Sequence, residues 1–308
     1  MKGLLILGLS LVLVACQLTT QPLSAPPLPS WQPSTGVTSP HSVGAIIDLA
    51  SGELLTAEAL VQQLAKVPRV LIGEKHDNLA QHQAQLWLLQ AVAAQRPTGS
   101  VVLEMLHQQQ QPLVTAVQQR LAQGKQVADL AQALQWQGWD WQQYAELIRY
   151  LVAQSAPIKA ANFSREQLLA IYQQPPLVTG VHSNAAEVQQ QLQQQIAQAH
   201  CQQLPSAQLP KMLAVQQQRD RLMAEVSLAA ATPSLLLAGS YHVRKDLGVP
   251  LHLKDLAPAT AEPTQLKVLI LVEQGAAPLS LQQADYLWIT PAAPAQDYCA
   301  QLKKPGKQ

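Results

Sequence analysis

The sequence predicts an α/β domain, with a largely parallel central sheet flanked by helices and a helical insertion covering the carboxyl-end rim of the sheet. Three observations carry this. Short apolar runs of strand length alternate with longer segments of helical composition, the order of a βαβ fold. Two of those runs, Arg69-Val-Leu-Ile-Gly-Glu-Lys-His76 and Ser234-Leu-Leu-Leu-Ala-Gly-Ser-Tyr-His242, end in Gly-x-x-His. No glycine-rich linker divides the chain from residue 42 to 308, so this stretch reads as a single domain.

Taken in order, Ala45 to Leu49 and Glu53 to Thr56 flank Ala-Ser-Gly, a hairpin signal. Thr56 is then a candidate N-cap for a helix running to Lys66. The first Gly-x-x-His strand follows, and after it Leu79 to Ala94 has helical composition. Asn78, His82, Gln85 and Leu89 share one face of that helix, which places His82 one turn in, toward the sheet. Ser100 to Met105 is a further strand carrying Glu104 at its carboxyl end. Gln111 to Leu151 is helical with a turn near Gly138, and holds Trp136, Trp139, Trp141, Tyr144 and Tyr150. This aromatic group suits either core packing or a wall for a flat ligand.

Pro157 to Ala161 is strand-like, and Leu177 to His182 reads as a short extended piece or a loop. Glu187 to Ala199 and Met212 to Ala230 are helices, interrupted between by Pro205 and Pro210. The second brings Gln216, Arg219, Asp220 and Met223 largely to one side. Val243 to Pro250 is expected to be a short turn or helix closed by Gly248 and Pro250. Lys267 to Val272 and Tyr286 to Thr290 supply the last strands.

Charged residues make up 13% of the 308 and nearly cancel, leaving +1. A nucleic-acid binder would show a concentrated basic face, so that class is excluded. The glutamine runs at 108–111, 189–191 and 216–218 read as solvated helix faces.

The amino terminus reads as a targeting segment: Lys2, an apolar stretch from Leu4 to Val14, and Leu13-Val14-Ala15-Cys16, which resembles a bacterial lipobox. Residues 1–15 would be removed and Cys16 lipidated, anchoring the chain to a membrane without crossing it. Gln17 is not the aspartate that retains many lipoproteins at the inner membrane, so the expected location is the periplasmic face of the outer membrane. Residues 16–41, rich in Pro, Ser and Thr, read as a flexible tether. Cys201 and Cys299 then remain, either as one disulfide in an oxidising compartment or as two buried thiols.

In a parallel sheet the strand ends share one rim. That rim would present Glu74, His76, Glu104, Asn162 with Arg165, and Tyr241 with His242. These groups could hold a divalent transition metal, perform acid–base chemistry, or form a hydrogen-bonded pocket floor. A metal-dependent hydrolase would use Glu74, His76, Glu104 and His242.

The ordered set Gly73-Glu-Lys-His-Asp-Asn78 with His82 and Gln85, Val102-Leu-Glu-Met-Leu106, Trp136 through Tyr144, Ala161-Asn162 with Arg165, His200-Cys201, Gln216-x-x-Arg219-Asp220-x-x-Met223-Ala224 and Gly239-x-x-His242 through Pro250 resembles the ChaN family of haem-binding, iron-regulated lipoproteins. The chain is more distantly similar to the erythromycin-esterase and Tiki group. The resemblance spans about Ala45 to Cys299 and implies an outer-membrane lipoprotein that binds haem for iron acquisition or storage and is not an enzyme. It further implies a haem-induced homodimer and an outer-membrane haem receptor as a partner. Histidine and tyrosine are the iron contacts it implies, here His76 and His242 with Tyr144, Tyr150 or Tyr241, and His82 stands nearby; for the propionates, the cations on offer are Arg165, Arg219, Arg244 or Lys245. The chain departs from the family pattern at Gln81-His82, where many members carry two histidines, and at Ser240-Tyr241, where Asn-Gly is common.

Overall fold

The structure, a computed structural model, describes residues 26–35, 37–257 and 265–302. The targeting segment and Cys16 lie outside the described residues. An edge hairpin comes first, β1 (Ile46–Asp48) and β2 (Leu54–Leu55), followed by α1 (Ala57–Leu64), whose N-cap Thr56 accepts from the backbone N–H of Ala59. Then come β3 (Arg69–Glu74), α2 (Leu79–Gln95), β4 (Ser100–His107), α3 (Gln111–Ala122), α4 (Leu130–Ala133), α5 (Trp141–Ala153) and β5 (Ile158–Asn162). The second half runs α6 (Arg165–Gln173), α7 (Ala186–Ala199), α8 (Leu209–Ala229), β6 (Ser234–Gly239), α9 (Ser240–Val243), α10 (Val249–Leu256), β7 (Leu266–Glu273), β8 (Tyr286–Thr290) and α11 (Tyr298–Leu302).

The strands form one sheet in the order β2-β1-β8-β7-β3-β6-β4-β5. Every pair from β8 to β5 is parallel, and the β1–β2 hairpin closes one edge antiparallel. The interior strands are near-continuous apolar runs because helices cover both faces. On one face α2, α3 and α5 supply Trp87, Leu88, Val114, Tyr144 and Leu147. On the other, α8 and α10 supply Met223, Ala224, Val249 and Leu253. The order places β6 beside β3 and β4 beside β6, so three polar strand ends become neighbours.

Several expectations are corrected. Gly248 and Pro250 open a helix and do not close one: Pro250 lies in the first turn of α10, where its missing N–H costs nothing. The tether is shorter than its composition suggests. Trp31 packs against Trp288 at 5.8 Å between ring centroids and donates to Gln83 Oε1, Trp288 donates to Gln32 Oε1, and Trp87 donates to the carbonyl of Pro26. The glutamine runs are not uniformly solvated. Gln110, Gln111 and Gln217 bond the backbone of neighbouring elements, and Gln110 and Gln217 are buried. A disulfide joins Cys201 to Cys299, with Cα atoms 5.7 Å apart. Among the described residues, no helix is long and apolar enough to cross a membrane.

Candidate functional site

The two Gly-x-x-His turns interlock, and this explains why both need glycine. A Cβ on Gly239 would lie 2.8 Å from His76 Nε2. One on Gly73 would lie 2.5 Å from Val243 Cγ2 and 2.9 Å from Ser240 Cα. Each motif therefore leaves room for the other, while Ser240 Oγ donates to the carbonyl of Glu74 and locks the turns together.

Two carboxylate–imidazole contacts stand on this base. Glu74 Oε1 lies 2.9 Å from His76 Nδ1 and accepts from the Tyr144 hydroxyl at 2.5 Å. Asp220, from α8, lies 2.5 Å from His242 Nδ1, and Gln216 Nε2 is 3.0 Å from the same nitrogen. Holding both rings at Nδ1 directs both Nε2 atoms toward Glu104, at 3.5 Å for His76 and 3.4 Å for His242. Glu104 is itself held by Arg219, by the backbone N–H of Gly239 at 2.7 Å, and through Asn162, which accepts from Arg219 and donates to the Glu104 carbonyl. Trp139 lies 4.3 Å from the His76 ring, centroid to centroid. His82, buried behind the rim, places Nε2 3.0 Å from Glu74 Oε2 and stacks on Tyr144 at 4.1 Å.

These groups set one another's charge. Burial alone would raise Glu74, but the imidazoles of His76 and His82 outweigh it and hold the carboxyl at about 2. Glu104 is likewise held well below the carboxylate range by His242, His76 and Arg219 against its burial. Burial would lower His242, yet Glu104 and Asp220 push it up to about 9. His76 is raised against its burial by Glu104 and Glu74. Burial first, and then Glu74, push the Tyr144 phenol far above its usual range.

Above this floor opens a cavity of about 500 Å³, within the range of about 300–1,000 Å³ usual for small-ligand sites. Trp139, Tyr241, Leu271, Val272 and Ala276 give it apolar and aromatic walls, and Lys75 and Arg219 give it cationic groups. Tyr241 is 45% exposed and, among the described residues, the only tyrosine in the lining.

The remaining sequence-predicted residues fall in different places. Glu74, His76, Glu104, Tyr241 and His242 meet at the cavity. Tyr144 is completely buried beneath it. The structure does not bring Tyr150 to the cavity. Tyr150 lines a separate cleft with Thr98 and Val101 at the opposite end of the sheet, because α5 carries it away from the rim. Arg165 opens α6 and is exposed outside the lining. Arg244 pairs with Asp246, stands over the Tyr241 ring at 5.7 Å and is not in the cavity lining. Lys245 pairs with Asp285. The Asp220–His242 contact and the Gln195 wall from α7 are not assigned by sequence, whereas Trp139 takes the wall position that the sequence leaves open beside core packing. The sequence signals for Asp220 are the helix face it shares with Gln216 and its place in the Gln216-x-x-Arg219-Asp220 run of the family pattern.

Two ligand classes can be tried against this donor set. Among the described residues, no three or more His, Cys, Asp or Glu side chains are arranged to hold a bare metal ion. The reason is local: Arg219 and Gly239 N–H take the oxygens of Glu104, and Tyr144 and His76 take one oxygen of Glu74. A large flat ligand carrying its own metal and anionic groups fits better, since it needs apolar walls, a protruding donor and edge cations. Trp139, Tyr241 and Lys75 are of those types.

A family model described as haem-binding uptake, Tiki superfamily, ChaN matches residues 60–253, more than half of the chain. Among solved structures, ChaN of Campylobacter jejuni with cofacially bound haem is 28% identical, covers 79% of this chain and 95% of its own, and superposes with a TM-score of 0.71. The type III effector HopBA1 is 14% identical over 76% of this chain and 93% of its own, at a TM-score of 0.36. RRSP, a toxin effector domain from Vibrio vulnificus, is 15% identical over 82% of this chain and 41% of its own, at 0.40. No curated protein matches. With its paired Gly-x-x-His turns inside the matched region, the chain belongs to the ChaN family of the Tiki superfamily.

Proposed function

We propose that this protein binds haem in the rim cavity, as a lipid-anchored carrier at the periplasmic face of the outer membrane, and serves haem or iron acquisition or storage. The observation that carries the reading is the half-exposed Tyr241 phenol, set in an aromatic cavity of the right size, in a chain whose relative from Campylobacter jejuni holds haem cofacially.

Bound haem would supply a ferric iron that a hard oxygen donor can hold, and two propionates that cations can hold. Tyr241 is the donor in reach, since the Tyr144 hydroxyl is spent on Glu74. Arg244, paired with Asp246, packs over its ring and helps to position it. Trp139 walls the cavity, and Lys75 at its edge would hold a propionate by turning from Glu273. His76 and His242 keep Nε2 directed toward the cavity floor. A dimer closing two cavities face to face, and delivery from an outer-membrane haem receptor, complete the reading.

Titrating hemin into the chain without its lipid tests it. The expected result is a saturable Soret band with a shift to dimer on size exclusion, and a changed spectrum for Tyr241→Phe. Absence of saturable binding at micromolar hemin would overturn it. A second reading, a hydrolase acting through Glu74, His76, Glu104 and His242, is favoured by the two carboxylate–imidazole contacts, which resemble those that orient metal-bound histidines. It requires Glu104 to leave Arg219, and it predicts stoichiometric divalent metal in haem-free protein.

A further inference from the structure

The segment after β8 runs along the edge of the cavity and is barely buried. From Pro291 to Ala300 every residue is half-exposed or exposed. Hydrophobic burial therefore cannot hold it, and its place depends on a few point attachments. Asn78 Nδ2 donates to the carbonyl of Pro291, and the N–H of Ala293 donates to Glu273 Oε1, which Lys75 also meets at 3.1 Å. The Tyr298 hydroxyl meets Asp77, and Lys75 Nζ lies 5.9 Å over the Tyr298 ring. The last attachment is covalent, from Cys299 to Cys201 at the end of α7.

Both ends of this strap are fastened to segments that line the cavity. Glu273 lines it at the Pro291 end, while Lys75, under Tyr298, and α7, through Gln195, line it at the Cys299 end. α7 needs such a fastening. It ends in two consecutive left-handed residues that are not glycine, Cys201 at φ 56° and Gln202 at φ 57°, a conformation that persists only where surrounding structure holds it.

We infer that the Cys201–Cys299 disulfide is the clasp of this strap, and that closing it fixes the Lys75 and Gln195 walls and slows the escape of haem. The inference rests on the haem reading of the cavity and adds a control on residence time. The clasp opens when a dithiol reductant gives up two electrons and two protons: the S–S bond breaks, two cysteine thiols form, and the reductant leaves as its own disulfide.

The test compares the full mature chain with the Cys201→Ser/Cys299→Ser variant, which keeps the cavity lining intact. Hydrogen exchange over residues 196–203 and 291–302, without ligand, should be faster in the variant. Hemin transfer to excess apomyoglobin should be at least ~3-fold faster, since such changes act mainly on dissociation. Unchanged exchange overturns the clasp outright. Faster exchange with unchanged hemin transfer overturns its control of the site and leaves the haem reading standing. Failure of both proteins to bind hemin sinks the haem reading, and with it the control of residence time, while exchange still decides whether the strap is clasped. Should the serine variant not fold, Tyr298→Phe loosens the strap with the disulfide intact; faster hemin transfer supports the inference and an unchanged rate overturns it.

Discussion

Gly239 has no side chain at the one point where His76 Nε2 would stand 2.8 Å from its Cβ. The neighbouring obstacle is the end of a side chain, with Glu104 Oε2 next at 3.6 Å. Gly239→Ala is therefore expected to fold and to turn the His76 ring away from Glu104. Gly73→Ala meets backbone at Ser240 and the Val243 methyl, an overpacking worth about 1–3 kcal/mol. Urea denaturation should rank Gly73→Ala as the more destabilising, and the reverse order would contradict the interlock.

The Asp220–His242 pair is buried on both sides, so removing one partner strands the other. Asp220→Ala should cost about 3–5 kcal/mol, as breaking a buried ion pair does, and Asp220→Asn less. In the asparagine variant the His242 pKa, followed by NMR, should drop below its raised value of about 9, because one of the two carboxylates that raise it is gone. A His242 titration unchanged in Asp220→Asn would show that Glu104 alone sets it.

The same shifts predict a window of stability for haem-free protein. His242 is raised to about 9, so its contribution is complete below its ordinary 6.5 and is lost as pH climbs through about 9. Glu74 is lowered from 4.5 to about 2, so its contribution is complete above 4.5 and is lost as pH falls toward 2. Urea midpoints should be highest near about pH 5.5 and fall on both sides. A midpoint that rises from about pH 7 to about pH 9 would contradict the assignment.

Much of this was legible in the sequence, for a physical reason. Parallel strands covered on both faces must be apolar throughout, so β3, β4 and β6 stood out as runs with a polar residue where they emerge. The face formed by Asn78, His82, Gln85 and Leu89 was visible as helical period, and all four are buried. What pairs across elements was not visible. Asp220 on α8 meets His242 on α9, two elements whose pairing no local pattern encodes, and Trp139 reaches His76 from a loop with no period. Glutamine reads as surface by composition, yet Gln111 can donate to one backbone carbonyl of β5 and accept from another N–H, which only packing reveals.

The two tyrosines of the site should part company. Tyr144→Phe removes a buried hydroxyl from Glu74 and His76, a loss of about 1–3 kcal/mol in stability, with hemin still bound. Tyr241→Phe removes no buried contact, so stability should hold within about 0.5 kcal/mol, while the hemin spectrum changes. If Tyr144→Phe alters the hemin spectrum as much as Tyr241→Phe does, the axial donor has been misassigned.

The amino-terminal segment offers a test that sets packing against composition. Proline and serine from Pro26 to Ser34 suggest a chain that could be cut away freely. The structure gives Trp31 a ring contact with Trp288 and a hydrogen bond to Gln83, and gives Trp87 and Trp288 their indole acceptors from Pro26 and Gln32. Losing the segment would therefore strip an apolar partner and leave two largely buried indole N–H groups without acceptors, at about 1–3 kcal/mol for each unsatisfied group. Trp31→Ala alone should cost about 1–3 kcal/mol, less than a fully buried tryptophan because the ring is half-exposed. A chain starting at residue 36 should unfold at clearly lower urea than one starting at residue 26. Equal midpoints for the two truncations would mean that these tryptophan contacts contribute nothing to stability, and that the domain begins at β1.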